Sequence, residues 1–439
     1  MLVVLSGVDM SMVPYDSSFT TYCSELYNED NEFERRVNES TLKILNFKKD
    51  IGLLDADTVY PREEDLKNIG TDETYNFNLK AARESIILAK NSESNGLPLS
   101  NDPSKKVCVI GPSGNLRKVL NGGWSYTWLG EKEDYYDLGG NGHKILTIYQ
   151  AVKQKTDNVL YRDGVKFVYD GGKLYTVFND FNETIDEAKT CDHILLTIGE
   201  DTYAEQFGNI DSLELDSVQK ILANELFKLN VPVTVIYVAG RPRVMNEIID
   251  KANAVLLAFL PGIRGAEAIA DIVFGDYNPD GKLPVTYPKV TNGFITHDFK
   301  YIEKFEHYKP ENYIKFEFGH GLSYTTFEYS NLRLCSNEYD MSEDEEIRVY
   351  VDVKNNGTRP GKETVILYIY DEYASVTRPV KQVRGFEKIY LEPNDIQTVE
   401  FVLNINKDLS LINIHNRRVV EPGNFIVYVG ELSKRFHLK

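Results

Sequence analysis

Glu200 and Glu205 stand close together in Gly199-Glu200-Asp201-Thr202-Tyr203-Ala204-Glu205, directly after the apolar run Ile194–Ile198. A loop carboxylate is ordinarily just solvated. At a strand end facing a cleft, however, burial can raise its pKa and make it a general acid at neutral pH. Position alone does not choose between the two. A second feature is aromatic. The only two tryptophans, Trp124 and Trp128, lie in Gly122-Gly123-Trp124-Ser125-Tyr126-Thr127-Trp128-Leu129-Gly130. A Gly-flanked aromatic loop can offer ring faces for a ligand to stack on, or its rings can be core; the residues leave both open.

Other chemistries find less support. The first strand of the central region runs into Val109-Ile110-Gly111-Pro112-Ser113-Gly114-Asn115, which has the wrong glycine spacing for dinucleotide binding and an intruding proline. Neither a P-loop nor a GxSxG elbow is present. Cys23, Cys108, Cys191 and Cys335 are far apart and form no CxxC, so four buried free thiols are expected rather than a disulfide framework or a zinc site. The histidines are scattered singly, and neither metal nor cofactor is expected. A net charge of -18 would repel phosphate backbones and anionic membranes, which sets nucleic acid and membrane surfaces aside. No apolar run approaches the ~18 residues of a membrane span. The segment Met1–Leu5 is apolar but short and lacks a preceding Lys or Arg, so it does not read as a signal peptide. It reads as a buried strand entered without its neighbours.

The elements that must position these residues follow from hydrophobic periodicity. Helical spacing runs over 33–57, ending near Gly52, and a second helix over 77–90 leads to an Asn/Ser/Gly-rich break at 91–96. From about 105 the pattern becomes short apolar runs: Val107–Ile110, Val165–Tyr169, Ile194–Ile198, Val233–Val238 and Ala254–Leu260. Helical stretches near 214–229, 241–252 and 265–274 separate the later runs. Such alternation predicts a doubly wound α/β domain, a parallel sheet covered on both faces, with ligands beyond the carboxyl ends of its strands. Those ends are Gly111-Pro112-Ser113, Gly199-Glu200, Ala239-Gly240-Arg241 and Pro261-Gly262. A Tyr/Phe-rich connection over about 290–325 follows. After it the period drops to two, as in Ile347, Val349, Val351 and Val353, which predicts an all-β sandwich.

Several motifs, in order, resemble glycoside hydrolase family 3, the β-glucosidase and exo-β-glucanase family. Gly7-Val8-Asp9-Met10-Ser11-Met12-Val13-Pro14 resembles a segment near the end of that family's barrel, residues 36–54 its last helix, and Ala81–Asn91 the stretch entering the second domain. Gly199 to Gly208 resembles the loop carrying the acid/base. Gly240-Arg241-Pro242 and Gly275-Asp276-Tyr277-Asn278-Pro279-Asp280-Gly281-Lys282-Leu283-Pro284 are similar to second-domain motifs. Phe318-Gly319-His320-Gly321-Leu322-Ser323-Tyr324-Thr325-Thr326-Phe327 resembles the entry to a fibronectin type III-like domain. The fold implied is α/β plus all-β: the end of a (β/α) barrel and a linker over 1–90, an α/β sandwich over 91–300, a connecting segment over 301–328 and a fibronectin type III-like β-sandwich over 329–439.

The resemblance implies a retaining β-glucosidase acting on β-glucosides or β-glucan oligosaccharides, without cofactor or metal. Matched residue by residue, the acid/base falls on Glu205, with Glu200 as runner-up. Trp128 falls where a tryptophan stacks on the second sugar, Met12 where a methionine lines the first subsite, and Trp124 in support. One departure matters. The family's nucleophile is an aspartate in a Ser-Asp-Trp-type segment on a barrel strand, and this sequence contains none. A retaining mechanism needs two carboxylates ~5 Å apart, so Glu205 alone cannot run it. Three expectations follow: the sequence is part of a longer exo-acting enzyme; or it is a non-catalytic glucan-binding or scaffold protein; or it is half of a split enzyme whose barrel is a partner chain. Asn38, Asn182 and Asn356 head Asn-x-Ser/Thr triplets compatible with a secreted or lysosome-like protein, should an upstream signal peptide exist.

Overall fold

Residues 2–13, 15–55, 62–137, 143–170, 173–293 and 312–439 are described by a computed structural model. Met1 and Pro14 of the N-terminal motifs, and much of the Tyr/Phe-rich connection, lie outside that set. The chain divides into Met1–Thr71 and Asp72–Lys439.

The first unit is helical. Leu2–Leu5, expected as a strand, forms a single helical turn instead. The physical reason is the one that made a lone strand unattractive: its backbone groups have no neighbouring strand, and a helix satisfies them locally, as in Ser6 N–H to the Leu2 carbonyl at 2.8 Å. Helices Ser18–Glu29 and Asn31–Asp50 follow. The second is capped by Asp30, whose carboxylate accepts from the N–H groups of Glu32 and Phe33. It ends before Gly52, which takes φ +77. Asp9 of the N-terminal motif is fastened to this helix by Arg36 at 2.7 Å, Ser40 at 3.0 Å and Lys43 at 3.2 Å. Arg36, then Ser40 and Lys43, hold its carboxyl down at about 2. Among the described residues this unit contains no strand, so no part of a barrel sheet is seen in it. It leaves Leu42, Leu45, Phe47, Leu53 and Leu54 exposed.

In the second unit, strands β1 (Ile87–Asn91), β2 (Val107–Ile110), β3 (Val159–Arg162), β6 (His193–Gly199), β7 (Val233–Val238) and β8 (Ala254–Leu257) form one sheet in the order β1-β8-β7-β6-β2-β3. All neighbours are parallel except β1, which runs antiparallel to β8. Every residue of β2, β6, β7 and β8 is buried, because helices cover both faces. One face packs under helices Asp72–Ser85, Ile148–Lys153 and Gly265–Val273, the other under Ser217–Phe227 and Asn246–Lys251. The expected doubly wound α/β arrangement stands.

Two local expectations are corrected. The run Val165–Tyr169 is not a strand of the main sheet. It belongs to a separate antiparallel hairpin, β4 (Val165–Asp170) with β5 (Lys173–Phe178), while Val159–Arg162 takes the sheet position. The run is only partly covered, with Lys166 and Tyr169 exposed, as a two-stranded hairpin leaves one face to solvent. The helix expected over 77–90 is Asp72–Ser85, and Ile87–Asn91 is the edge strand β1, so the break at 91 follows a strand rather than a helix. These elements belong with the sheet unit rather than with the first segment.

The cysteines also differ from expectation. Cys108 and Cys191 form a disulfide with Cα atoms 6.0 Å apart, Cys23 is half-buried and Cys335 is exposed. Cys108 lies on β2 and Cys191 just before β6, and the pairing of those strands brings together residues 83 apart in sequence.

The period-two region forms the expected sandwich. Strands Phe327–Leu334, Glu346–Asn355 and Ile396–Asn404 face a five-stranded sheet that includes Gly361–Asp371, Gln382–Leu391, Gly423–Val429 and Leu432–Leu438. Alternate residues such as Val349, Val351, Leu367 and Val427 are fully buried between them, each worth roughly 1.5–3 kcal/mol. Ion pairs lock the sandwich to the α/β domain: Lys388 reaches Asp280 at 3.2 Å and Glu84 at 3.5 Å, and Lys362 also bonds Glu84.

Two stability predictions follow. Burial holds the His193 imidazole down at about 4, against 6.5 in the open chain, with Nε2 2.9 Å from Thr234 Oγ1. The unfolded state therefore binds the extra proton, so stability present above pH 6.5 is lost as pH falls towards 4, by up to roughly 3 kcal/mol. Urea unfolding at pH 7 and 4.5 should show a smaller difference for His193→Gln than for the parent. Replacing both Cys108 and Cys191 by alanine should cost roughly 2–4 kcal/mol at pH 7. A melting temperature that reductant leaves unchanged would contradict the bridge.

Candidate active site

The loop after β6 begins with a forced turn. Gly199 has φ +153, and a Cβ there would collide with the carbonyl of Val238 on β7. Gln219, nearly fully buried in helix Ser217–Phe227, clamps its peptide: Gly199 N–H donates to Oε1 at 3.0 Å and Nε2 donates to the Gly199 carbonyl at 2.9 Å.

Glu200 comes next, and its carboxylate is fully engaged. Arg241 Nε donates to both oxygens at 3.0 and 3.1 Å, Arg243 donates to Oε1 at 2.7 Å, and the Tyr203 hydroxyl donates to Oε2 at 3.0 Å. The side chain is only 12% exposed. Arg241 also donates to the Gly208 carbonyl at 2.6 Å and lies over the Tyr203 ring at 4.3 Å, so it ties both ends of the loop. Burial, then the nearby charge of Glu200, pushes the Tyr203 phenol up, so it stays a donor. Its ring sits in a mould of glycines. A Cβ on Gly208 would strike the ring, one on Gly240 would press on the hydroxyl, and one on Gly123 would strike the Tyr203 carbonyl.

Glu205 is held differently. It opens the short turn Glu205–Gly208, is exposed, and takes φ +50, a left-handed conformation that costs an L-residue about 1 kcal/mol or more. Its carboxylate has no hydrogen-bond partner among the described residues. Thus the two glutamates part: one is a tether and the other is presented.

The tryptophan loop is pressed against this one. It follows the turn Lys118–Asn121 and closes on itself through Trp124 N–H to the Trp128 carbonyl at 2.8 Å. Trp124 and Tyr126 both take φ +58. Beneath them Tyr136, fully buried, donates to the carbonyls of Gly130 and Ser125 at 3.2 and 3.3 Å. Three contacts join the loops: a largely buried Lys118–Asp201 ion pair at 2.7 Å, Gly123 on the Tyr203 backbone, and Trp128 edge-on to Phe207 at 5.3 Å. Trp124 and Trp128 remain exposed, with centroids 6.4 Å apart.

The structure therefore brings Glu200, Glu205, Trp124 and Trp128 together. Met12 belongs to the other unit, where it is exposed. Sequence reasoning missed Tyr203, Arg243, Lys118 and Asp201 as positioning residues; Arg241 lay at a flagged strand end, without a role. Among the described residues, no group of His, Cys, Asp or Glu side chains could hold a metal ion, and no helix is long and apolar enough to cross a membrane. Of these groups, Glu205 is the carboxylate left exposed and unbonded, and Trp124 and Trp128 are the exposed rings of the adjoining loop.

Residues 86–324 match the glycosyl hydrolase family 3 C-terminal domain, and 363–433 a fibronectin type III-like domain. The chain is 35% identical to a lysosomal beta glucosidase of Dictyostelium discoideum, with 99% of this chain and 53% of the relative aligned. It is 32% identical to a beta-xylosidase of Formosa agariphila, over 99% of this chain and 59% of the relative. Among solved structures, a mutant beta-glucosidase from Listeria innocua in complex with laminaribiose superposes with a TM-score of 0.84 at 25% identity, covering 99% of this chain and 59% of the other. The chain thus spans between half and three-fifths of the length of these relatives.

The contrast between the glutamates is measurable as stability. Glu200→Gln leaves two largely buried guanidinium groups short of a counter-charge and should cost roughly 3 kcal/mol in urea unfolding. Glu205→Gln should change stability by less than ~0.5 kcal/mol, and Glu205→Gly should raise it by up to about 1 kcal/mol by relieving the backbone. Equal losses for the two Gln variants would make Glu205 structural as well.

Proposed function

This chain belongs to glycoside hydrolase family 3, and from that premise we propose that it is the acid/base-bearing part of a retaining β-glucosidase, releasing terminal β-D-glucose from β-glucosides or oligosaccharides. The observation that carries the reading is the division between the two glutamates. Glu200 spends both oxygens on Arg241, Arg243 and Tyr203, which leaves it none for a substrate. Glu205 is exposed on a braced loop beside Trp128.

In the proposed mechanism Glu205 protonates the glycosidic oxygen as the bond to C1 breaks and an aspartate nucleophile takes C1. The Glu205 carboxylate then removes a proton from water, whose oxygen attacks C1 and releases the aspartate. Trp128 stacks on the second sugar, Trp124 supports that ring, and Met12 lines the first subsite. General acid and carboxylate chemistry need no cofactor. The nucleophile would come from a (β/α)-barrel body, on the same polypeptide or on a partner chain. Two facts favour such a body: the aligned relatives are longer by two-thirds or more, and the first unit leaves Leu42, Leu45, Phe47, Leu53 and Leu54 exposed, an apolar surface of the kind that a neighbouring body covers.

The test is kinetic, on the chain joined to its barrel. Glu205→Gln should lower kcat/KM for alkyl β-glucosides by about 10²–10⁴-fold. Aryl glucosides with good leaving groups should lose much less in the first step, and azide should restore the second as a glycosyl azide. A Glu205→Gln enzyme with parent activity would sink the assignment. Glucan binding with no turnover by any barrel-joined form would favour a non-catalytic binding protein instead.

A further inference from the structure

A cavity of about 330 Å3 lies between the inner face of the β4–β5 hairpin and the loop that follows β6. The hairpin register sets Phe167 opposite Thr176 and Tyr169 opposite Leu174, so all four share one face. Phe167, Leu174 and Thr176 form one wall of the cavity, and Phe207 stands in the facing wall. The same Phe207 ring meets Trp128 at 5.3 Å and Tyr169 at 6.3 Å. Trp124, Trp128, Phe207 and Tyr169 therefore make one unbroken row of rings, tilted or edge-on to one another. Trp128 is 42% and Tyr169 47% exposed, which is not how a row of aromatic rings sits when its purpose is core packing.

The polar lining has a matching character. Asp211 and Ser212 are exposed at the cavity, and the Asp216 carboxylate lines it while accepting from Thr176 and from the Val218 N–H. Arg243, also in the lining, donates to Glu200 and to the Glu214 carbonyl and holds that wall in place. Aromatic faces beside carboxylates and the Ser212 hydroxyl suit a pyranose, which has apolar C–H faces and a rim of hydroxyls. A wholly apolar group would desolvate Asp211 and Asp216 without compensation.

We propose that this cavity, with Phe207 and Tyr169 at its entrance, is a further aglycone subsite, taking the sugar that follows the one on Trp128 in a β-linked gluco-oligosaccharide. The proposal rests on the reading of Trp128 as the second-sugar platform and extends it to substrate length. The hairpin then acts as a length selector, favouring chains of three or more units over disaccharides.

Both tryptophans of the chain lie in the adjoining loop, so their fluorescence reports binding without turnover. The purified chain would be titrated with methyl β-glucoside, whose single sugar occupies the Trp128 platform alone, and with laminaribiose, which spans platform and cavity. The disaccharide should bind about tenfold tighter, the gain of one further aromatic-lined contact. Tyr169→Ala, which removes a ring, and Ser212→Tyr, which fills the cavity, should each bring the disaccharide to the affinity of the monosaccharide. The methyl β-glucoside titration should be unchanged in both, which also shows that the variants fold. Equal affinities in the parent, or a disaccharide advantage that survives both substitutions, would overturn the subsite and leave the Trp128 platform standing. Silent tryptophans with both sugars would remove platform and subsite together.

Discussion

The carboxylate of Glu200 and the guanidinium groups of Arg241 and Arg243 are all largely withdrawn from water, and none could be buried without the others. Each alone would carry an uncompensated charge, which costs several kcal/mol. Because Glu200 follows β6 while both arginines follow β7, satisfying the charges fixes the start of the loop after β6 against the next strand. Arg241 then reaches the Gly208 carbonyl and fixes the loop's far end. The turn carrying Glu205 spans the interval between those two anchors, and its left-handed backbone is sustained by them.

That arrangement separates rigidity from reactivity. The groups that hold the loop spend their hydrogen bonds on one another, while the group that could act on a ligand spends none. The tryptophan loop follows the same logic. Buried Tyr136 and the Lys118–Asp201 pair do the holding, and the indole rings are left exposed. The geometry of both loops is thus fixed by contacts within the protein, without any ligand.

How much of this was legible depended on whether the signal was local. Val107–Ile110 and Val233–Val238 were readable to the residue, because a strand buried on both faces is apolar throughout. Val165–Tyr169 resembles them in composition, and its exposed Lys166 and Tyr169 become evident only in the folded hairpin. Ile87–Asn91 was absorbed into the preceding helix, since five residues are too few to show a period. At the candidate site, the two glutamates were singled out by strand-end position and the two tryptophans by their Gly-flanked loop, while the roles expected of them came from the family resemblance. What separates the tethered glutamate from the exposed one was not legible, because the deciding partners of Glu200 lie 41 and 43 residues downstream. The Cys108–Cys191 bridge escaped for the same reason: only the pairing of β2 with β6 makes the two neighbours.

The glycine mould around Tyr203 bears on how this loop could be transplanted. Gly123, Gly208 and Gly240 come from three separate stretches of chain, yet each is shaped to the same residue, from its ring to its backbone carbonyl. A graft of the loop alone into another scaffold would bring the wedge without its socket, and the turn would lose the fit that aims it. Exchange between relatives should therefore succeed by whole module, carrying the tryptophan loop and both strand ends, and fail by segment.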